Sequence, residues 1–376
     1  MINTVNKRLI FFLSVGYIIV SFLPNTDISF VLLGIFLLFF SAFLKNIKGS
    51  FFFSIFILLY LVLFLVAHRF WSEQYDKKDI IAVLLFFSII PVLFNSLTIL
   101  YRDIFQRAII FSWFLLSICL CLWGGVHGID FQRSKLLGFD DLHKNSVANF
   151  FEIGFVITFF SEFSKVKAVR VGILSVAFIS MLYIGSKTTI ILITCLVLIP
   201  TNMYKKWLPY FPLFIFFILL YLFFNLDYIY DLLSKREALF TASLRIVLWE
   251  RAISDILVST QTFIFGIGPG NFDTKGLNIG DLSTVESPHN YILTILNAYG
   301  MLGITIFGWY FIKIFTNVRK PNFYVQPYLI SYTIFFCHSL FDVGWVKSQG
   351  FFIAMITGLM FNENFLKNEN SNGQRP

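Results

Sequence analysis

Phe51-Phe-Phe-Ser-Ile-Phe-Ile-Leu-Leu-Tyr-Leu-Val-Leu-Phe-Leu-Val-Ala67 carries no charged side chain and stops at His68-Arg69. A helix that crosses a bilayer needs roughly 20 mainly apolar residues, and it satisfies its own backbone polar groups where water cannot. This run is one of a series, at about 9–23, 28–44, 51–67, 80–98, 109–126, 146–163, 171–184, 188–202, 208–224, 290–314, 326–341 and 350–362. The series predicts an all-α polytopic membrane protein with about 12 transmembrane helices. Composition agrees: of 376 residues 57% are hydrophobic and 13% charged, 50 are Phe, and the mean hydropathy is +0.78. Soluble domains carry about 25% charged residues, which excludes a water-soluble globule.

Lys and Arg set the orientation. With the N-terminus in the cytoplasm, inner segments hold 16 of the 29, among them Lys7, Arg8, Arg107, Lys206 and Lys320. The outer segments hold 13, of which five lie in one long loop that carries little weight, so short loops divide 16 against 8. Acidic residues lean the other way, and both termini are expected inside. Lys7-Arg8 followed by an apolar run resembles a signal peptide, but no small-x-small cleavage site follows, so an uncleaved first span is expected. The organisation is then 1–224 with helices one to nine, 225–289 as a long outer loop with an amphipathic helix, and 290–376 with helices ten to twelve and a cytoplasmic tail. The net charge of +8 belongs to loops facing anionic lipid rather than to a nucleic-acid surface. Cys119, Cys121, Cys195 and Cys337 lie in apolar runs with no CxxC pair, so no disulfide framework or zinc site is read. No Walker A sequence is present, which excludes an ATP-driven pump.

Outer loops concentrate the chemistry. Thr241–Leu257 reads as a surface helix with Ser243 as N-cap and an apolar face of Ile246, Trp249, Ile253, Ile256 and Leu257. Arg245 on its first turn either packs over Trp249, meets lipid phosphate, or supplies a fixed cation for a diphosphate. Arg251 and Asp255 are spaced as an i,i+4 ion pair. Phe265-Gly-Ile-Gly-Pro-Gly-Asn-Phe272 could suggest a nucleotide cradle, but Pro269 removes a donor and no strand precedes it, so a tight turn is expected. Glu286-Ser-Pro-His-Asn-Tyr-Ile-Leu293 places His289 at the mouth of a span, with Pro288 suited to a helix start. Asn297, Tyr299, Gly300 and Gly303 continue that span, and the small residues permit close packing.

Further cations edge the outer face: Lys187 in the hairpin Gly185-Ser-Lys-Thr188, His143 and Lys144 before the sixth run, and Arg69 with His68 after the third. Each either snorkels at the interface or joins a cationic rim around the bundle. Asp342 and Lys347 read as an ion pair. Glu152, inside the sixth run, is either a functional polar group or a sign of a misplaced boundary.

The order of these elements resembles the O-antigen ligase and polymerase superfamily: a Gly-Ser-basic hairpin, a long outer loop with Arg245 and Trp249, the glycine turn, Pro288-His289-Asn290, and Tyr299-Gly300-x-x-Gly303. The likeness covers about residues 180–310. It implies a glycosyltransferase fold of the C type, working without metal or cofactor on the periplasmic face of the inner membrane. The donor is a glycan on undecaprenyl diphosphate. By resemblance, Lys187 and Arg245 hold the diphosphate, His289 and Arg245 are catalytic, and Asn290, His143, Lys144 and Arg69 are supporting. The expected reaction is that of a polymerase, with transfer to a second lipid-linked repeat unit. The alternative is a ligase that transfers to lipid A core, and many ligases carry Arg where this chain has Lys187. A transporter or flippase is the weaker alternative, because charged residues inside the spans are scarce. A non-catalytic scaffold would not need so long an outer loop. Expected partners are membrane lipids and a chain-length regulator or flippase, not nucleic acid.

Overall fold

The computed structural model describes residues 4–22, 27–41, 51–70, 77–96, 102–127, 144–160, 167–184, 189, 193, 240–274, 287–317, 326–339 and 349–360. Helix is the only regular structure among them. The apolar runs form α1 (Thr4–Phe22), α2 (Asp27–Ser41) and α3 (Phe51–Phe70), followed by α4 (Lys77–Leu84) and α5 (Ile90–Ser96). Then come α6 (Arg102–His127), α7 (Lys144–Phe160) and α8 (Lys167–Ile184). The expected outer loop contributes α9 (Phe240–Leu257) and the short α10 (Thr260–Phe265). The chain closes with α11 (Tyr291–Asn317), α12 (Gln326–Ser339) and α13 (Gln349–Met360). Apart from Thr189 and Ile193, the runs at 188–202 and 208–224 lie outside the described residues, as does the Asp342–Lys347 pair.

Among the described residues, two helical stretches are long and apolar enough by length and composition to cross a membrane, Ile104–Trp123 and Tyr291–Phe315, the second of them interrupted at Gly300. Residues 77–96 form one helical path with a wide turn at Leu85–Ile89, where the Ile90 N–H reaches the Leu85 carbonyl. Pro91 explains it. Proline has no N–H, and in a straight helix its ring would press on the carbonyl four residues earlier.

Ring packing holds the helices together. Trp113 of α6 lies over Gly154 of α7, where a side chain would overlap the indole. The Tyr17 hydroxyl of α1 donates to the Phe351 carbonyl of α13 at 2.9 Å. In the middle, Phe56 and Tyr60 of α3 and Phe87 of the wide turn meet Phe307 and Tyr310 of α11. Phe311 continues the cluster to Tyr332 and Phe336 of α12.

The run at 290–314, expected to be one span, is folded in two. Gly300 has φ 63° and ψ −160°, which no helix allows. In a straight helix residues 291 and 311 would stand about 30 Å apart. Their ring centroids are 6.1 Å apart. A Cβ on Gly303 would come within 3.4 Å of the Ile295 carbonyl, two turns back in sequence. α11 is therefore a hairpin: a first arm from Tyr291 to Tyr299, a turn at Gly300, and a second arm from Met301 to Asn317. Along α3, Phe56 touches Tyr310 and Phe307, while Tyr60 touches Phe307 and Tyr299. The second arm thus runs antiparallel to α3, and the Gly300 turn lies toward the Arg69 end of α3.

Two glycines of this helix should respond oppositely to alanine. At Gly300 a methyl would overlap the backbone of Ile264 and Gly266, and the positive φ adds strain. Gly300→Ala should lower stability by at least about 2 kcal/mol. At Gly308 a methyl would meet nothing within 4 Å, so Gly308→Ala should be neutral or stabilising by up to about 1 kcal/mol. Thermal unfolding of the detergent-purified variants is the measurement. Equal melting temperatures for the two would contradict the hairpin.

Candidate functional site

The hairpin turn is held by the expected outer loop. A break at Gly300 deprives the carbonyls of Asn297 and Ala298 of their usual helical donors. The Ile267 and Gly268 N–H groups replace them, at 2.8 and 3.1 Å. Gly266, Gly268 and Gly270 all have positive φ, and Gly266 lies against the backbone of Ala298 and Tyr299. The glycine run is thus a tight turn, and the two N–H groups a phosphate would use are already engaged. α10 delivers the turn. Its N-cap Ser259 and Thr262 form a reciprocal capping box, with Thr262 N–H to Ser259 Oγ at 3.1 Å and Ser259 N–H to Thr262 Oγ1 at 3.0 Å.

α9 joins the same arm from another side. Asn297, buried, donates through Nδ2 to the Ala252 carbonyl at 3.2 Å. Arg251 pairs with Asp255 at 3.0 Å, as their spacing suggests. Burial pushes the Asp255 carboxyl above its usual range. Arg251 and a hydrogen bond from Asn297 pull it back, and nearby Asp273 pushes it up again.

The buried stripe of α9 differs from expectation. Of the expected face Ile246 and Ile256 are buried, together with Leu248 and Ala252, whereas Leu257 is 63% exposed and Trp249 and Ile253 are half-buried. The stripe is rotated by roughly 60° from the purely apolar face, at 100° per residue. Ala252 is its centre because a small side chain lets Asn297 reach the backbone. Hydropathy favours Leu257, which belongs instead to an exposed patch with Val258, Phe263 and Ile264. Arg245 falls on the line of Leu248, Ala252 and Ile256, so it stands on the protein-facing side, half-buried. Ser243 lies inside α9 and is not its N-cap.

His289 and Asn290 start the first arm. The Asn290 Oδ1 accepts from Leu293 N–H at 3.0 Å, and its carbonyl accepts from Thr294 N–H at 2.8 Å. Asn290 is therefore the N-cap and is itself buried. Pro288 stands outside the helix, not in its first turn. His289 has φ 51°, the left-handed region, and among the described residues it is the one non-glycine there. Such a conformation is strained for a side chain with a Cβ, and it is more often found at functional positions. His289 is half-buried. Arg245 is seven residues from Ala252 and His289 eight from Asn297, so both lie roughly 11 Å along their helices from the bond that joins them.

The other proposed residues are placed differently. Lys187 and His143 lie outside the described residues. Lys144 opens α7. Arg69 is in the last turn of α3, nine residues beyond Tyr60 and toward the Gly300 turn. Tyr291, beside Phe311, lies the other way. Arg69 and His289 therefore occupy opposite ends of the hairpin, and the structure does not bring them together. His289 is not at the mouth of a full span either. It stands at the foot of a nine-residue arm recessed into the bundle.

One polar pair is half visible in the sequence. Glu152 of α7 is fully buried, and its carboxylate oxygens lie 2.9 and 3.0 Å from Nδ1 of His338 in the last turn of α12. Glu152 is thus a genuine interior group and not a misplaced boundary. His338, a lone histidine inside an apolar run, is the available signal for its partner. Losing one member strands the other, which costs about 1–3 kcal/mol for a buried hydrogen-bonding group. Replacing both by apolar residues of similar size removes that penalty. Glu152→Leu and His338→Leu should each lower the melting temperature, and the double variant should recover most of the loss. A double variant as unstable as the sum of the singles would show that the two do not act as a pair. Neither a protein-family model nor a curated protein matches this chain.

Proposed function

We propose that this chain is a multi-pass inner-membrane glycosyltransferase of the O-antigen polymerase type, with about 12 spans and its site facing the periplasm. Exposed apolar side chains on many helices support membrane residence: Phe12 on α1, Leu38 on α2, Leu58 and Leu65 on α3, Leu122 on α6 and Ile312 on α11. In the orientation read from the basic loops, the Gly300 turn is on the outer side, and His289, at the other end of the first arm, lies roughly 14 Å deeper, so the proposed site is recessed from the periplasmic face.

The observation that carries the reading is His289, held half-buried in a strained backbone at the foot of an arm whose partner helix presents Arg245 on its protein-facing stripe. In the proposed reaction an acceptor sugar hydroxyl attacks the anomeric carbon of the donor sugar. The new C–O bond forms as the C–O bond to the diphosphate breaks, and undecaprenyl diphosphate leaves with the electron pair. His289 takes the hydroxyl proton. Arg245, with Lys187, stabilises charge on the departing diphosphate. Asn290 positions His289 by capping the arm. No nucleotide or metal is required by this scheme, because the diphosphate ester supplies the driving force.

Polymerase is preferred to ligase because Lys187 stands where many ligases have Arg, and Lys lacks the bidentate fork. A deletion strain separates the two. Polymerase loss should leave lipid A core with at most one repeat unit; bare core with accumulated lipid-linked polymer would make the chain a ligase.

His289 allows a test that separates chemistry from backbone strain. Asn and Gly both tolerate left-handed φ. His289→Asn and His289→Gly should accumulate in the membrane as well as the parent, yet lose about a hundredfold or more of transfer. Arg245→Ala should behave similarly, and Arg251→Ala should be milder. Near-normal polymer from well-expressed His289→Asn would reject the proposed base. For the topology, an alkaline phosphatase fusion near Asn278 should be active and one near Lys206 silent; the opposite pattern would invert the site.

A further inference from the structure

A second candidate site lies away from α9 and α11, between α1, α6 and α8. A cleft of about 970 Å³ opens there, large for a small-molecule pocket, which typically spans about 300–1,000 Å³. Its polarity is graded along the helix axes. Lys7 and Arg8, in the first turns of α1, and Arg107, near the start of α6, line one end, and all three are exposed. Phe11, Phe12, Phe111 and Phe114 line the part beyond, one to two turns further along the same helices. Phe11 and Phe111 are in ring contact at 5.8 Å, and in the orientation read from the basic loops α1 and α6 both start at the cytoplasmic face, which puts both N-termini at the cationic end.

Parallel N-termini add the positive ends of two helix dipoles to the three side chains. Asp103, one turn before Arg107 in sequence, is the carboxylate position nearest in the chain, and it leaves this end net positive. Among the described residues no carboxylate lines the cleft. Phe12 is 68% exposed and Phe111 49%, so the walls present aromatic surface that nothing in the chain covers among the described residues.

We propose that this cleft binds one anionic phospholipid, its phosphate held by Lys7, Arg8 and Arg107 and an acyl chain lying along the phenylalanine walls. The complementarity is twofold. Guanidinium groups bind phosphate oxygens through charge-assisted hydrogen bonds, and the apolar length begins where the charges end. By the basic-loop orientation the head group belongs to the cytoplasmic leaflet, which holds the anionic lipid. The site rests on membrane residence and not on the transferase reading.

The test uses the full-length protein, delipidated in detergent. Native mass spectrometry would titrate it with phosphatidylglycerol and with phosphatidylcholine of the same acyl chains. The parent should bind the anionic lipid about tenfold more tightly. The variant Lys7→Gln/Arg8→Gln/Arg107→Gln should lose that preference, and Arg319→Gln/Lys320→Gln, a basic pair elsewhere in the sequence, should keep it. Millimolar inorganic phosphate should not displace the bound lipid. Displacement would mean a free-phosphate site, and equal binding of the two lipids by the parent would overturn the proposal. Should the triple variant fail to fold, the parent charges can be kept and a photoreactive benzoyl-phenylalanine placed at position 12 or 111. In mixed vesicles both should cross-link to phosphatidylglycerol in excess of its share, while position 122, at the far end of α6, should not. Absence of enrichment at 12 and 111 in an inserted protein overturns the lipid site alone. A chain that does not fractionate with membranes overturns the placement beneath it.

Discussion

Two carbonyl groups, those of Asn297 and Ala298, determine how the loop and the bundle fit together. A helix reversed at Gly300 exposes them, and exposed carbonyls in an apolar interior cost too much to leave unmet. Ile267 and Gly268 supply the missing donors. That one exchange explains several other features. The donors must come from a turn with its N–H groups on one side, which requires the positive φ of Gly266 and Gly268. The turn must approach the arm at backbone distance, which forbids a side chain at Gly266 or Gly300. α10 must end at that point, and its capping box fixes where it begins. Loop and hairpin are therefore one folding unit, and neither is satisfied without the other.

The same joint transmits geometry to His289. The first arm is short, capped at one end by Asn290, and near the other end held both by the glycine turn and by the Asn297 side chain, which ties it to α9. A short rod fixed at three points has little freedom to relax a strained residue at its foot. Left-handed φ at His289 can then persist because its surroundings determine it. Pre-organisation of this kind is what a proton acceptor needs if it is to meet a hydroxyl without reorganising.

Hydropathy recovers most of the helices, since a helix lets an uncharged run such as Phe51–Ala67 satisfy its backbone within itself where water is absent. The Arg251–Asp255 pair is legible too, because it is a local spacing. What hydropathy misses is non-local. The run at 290–314 is apolar on both sides of Gly300, so no change of polarity marks the reversal, and a glycine inside an apolar helix is ordinary. The protein-facing stripe of α9 escapes it because exposed and buried positions both include apolar residues, and the true centre is the small Ala252. His338 has no legible role alone, because its meaning depends on Glu152, 186 positions away in sequence. Charged residues at interfaces are easier to see than to assemble. Arg69 and His289 look like neighbours on a topology diagram and are separated by the length of the hairpin.

These misses share a cause. Phenylalanine rings make many near-equivalent contacts, and a core built from them packs well in more than one register. Specificity then falls to a few buried polar joints: Tyr60 with Tyr299 at 3.0 Å, Asn297 with Ala252, and Glu152 with His338. Each links elements far apart in sequence, α3 to the hairpin, the loop helix to the hairpin, and α7 to α12. Each is satisfied in one arrangement only, because a hydrogen bond has a direction and a ring contact largely does not. In a chain that is 57% hydrophobic, the aromatic side chains supply cohesion, while this small set of polar atoms selects the fold that brings the strained histidine and the loop arginine onto neighbouring helices.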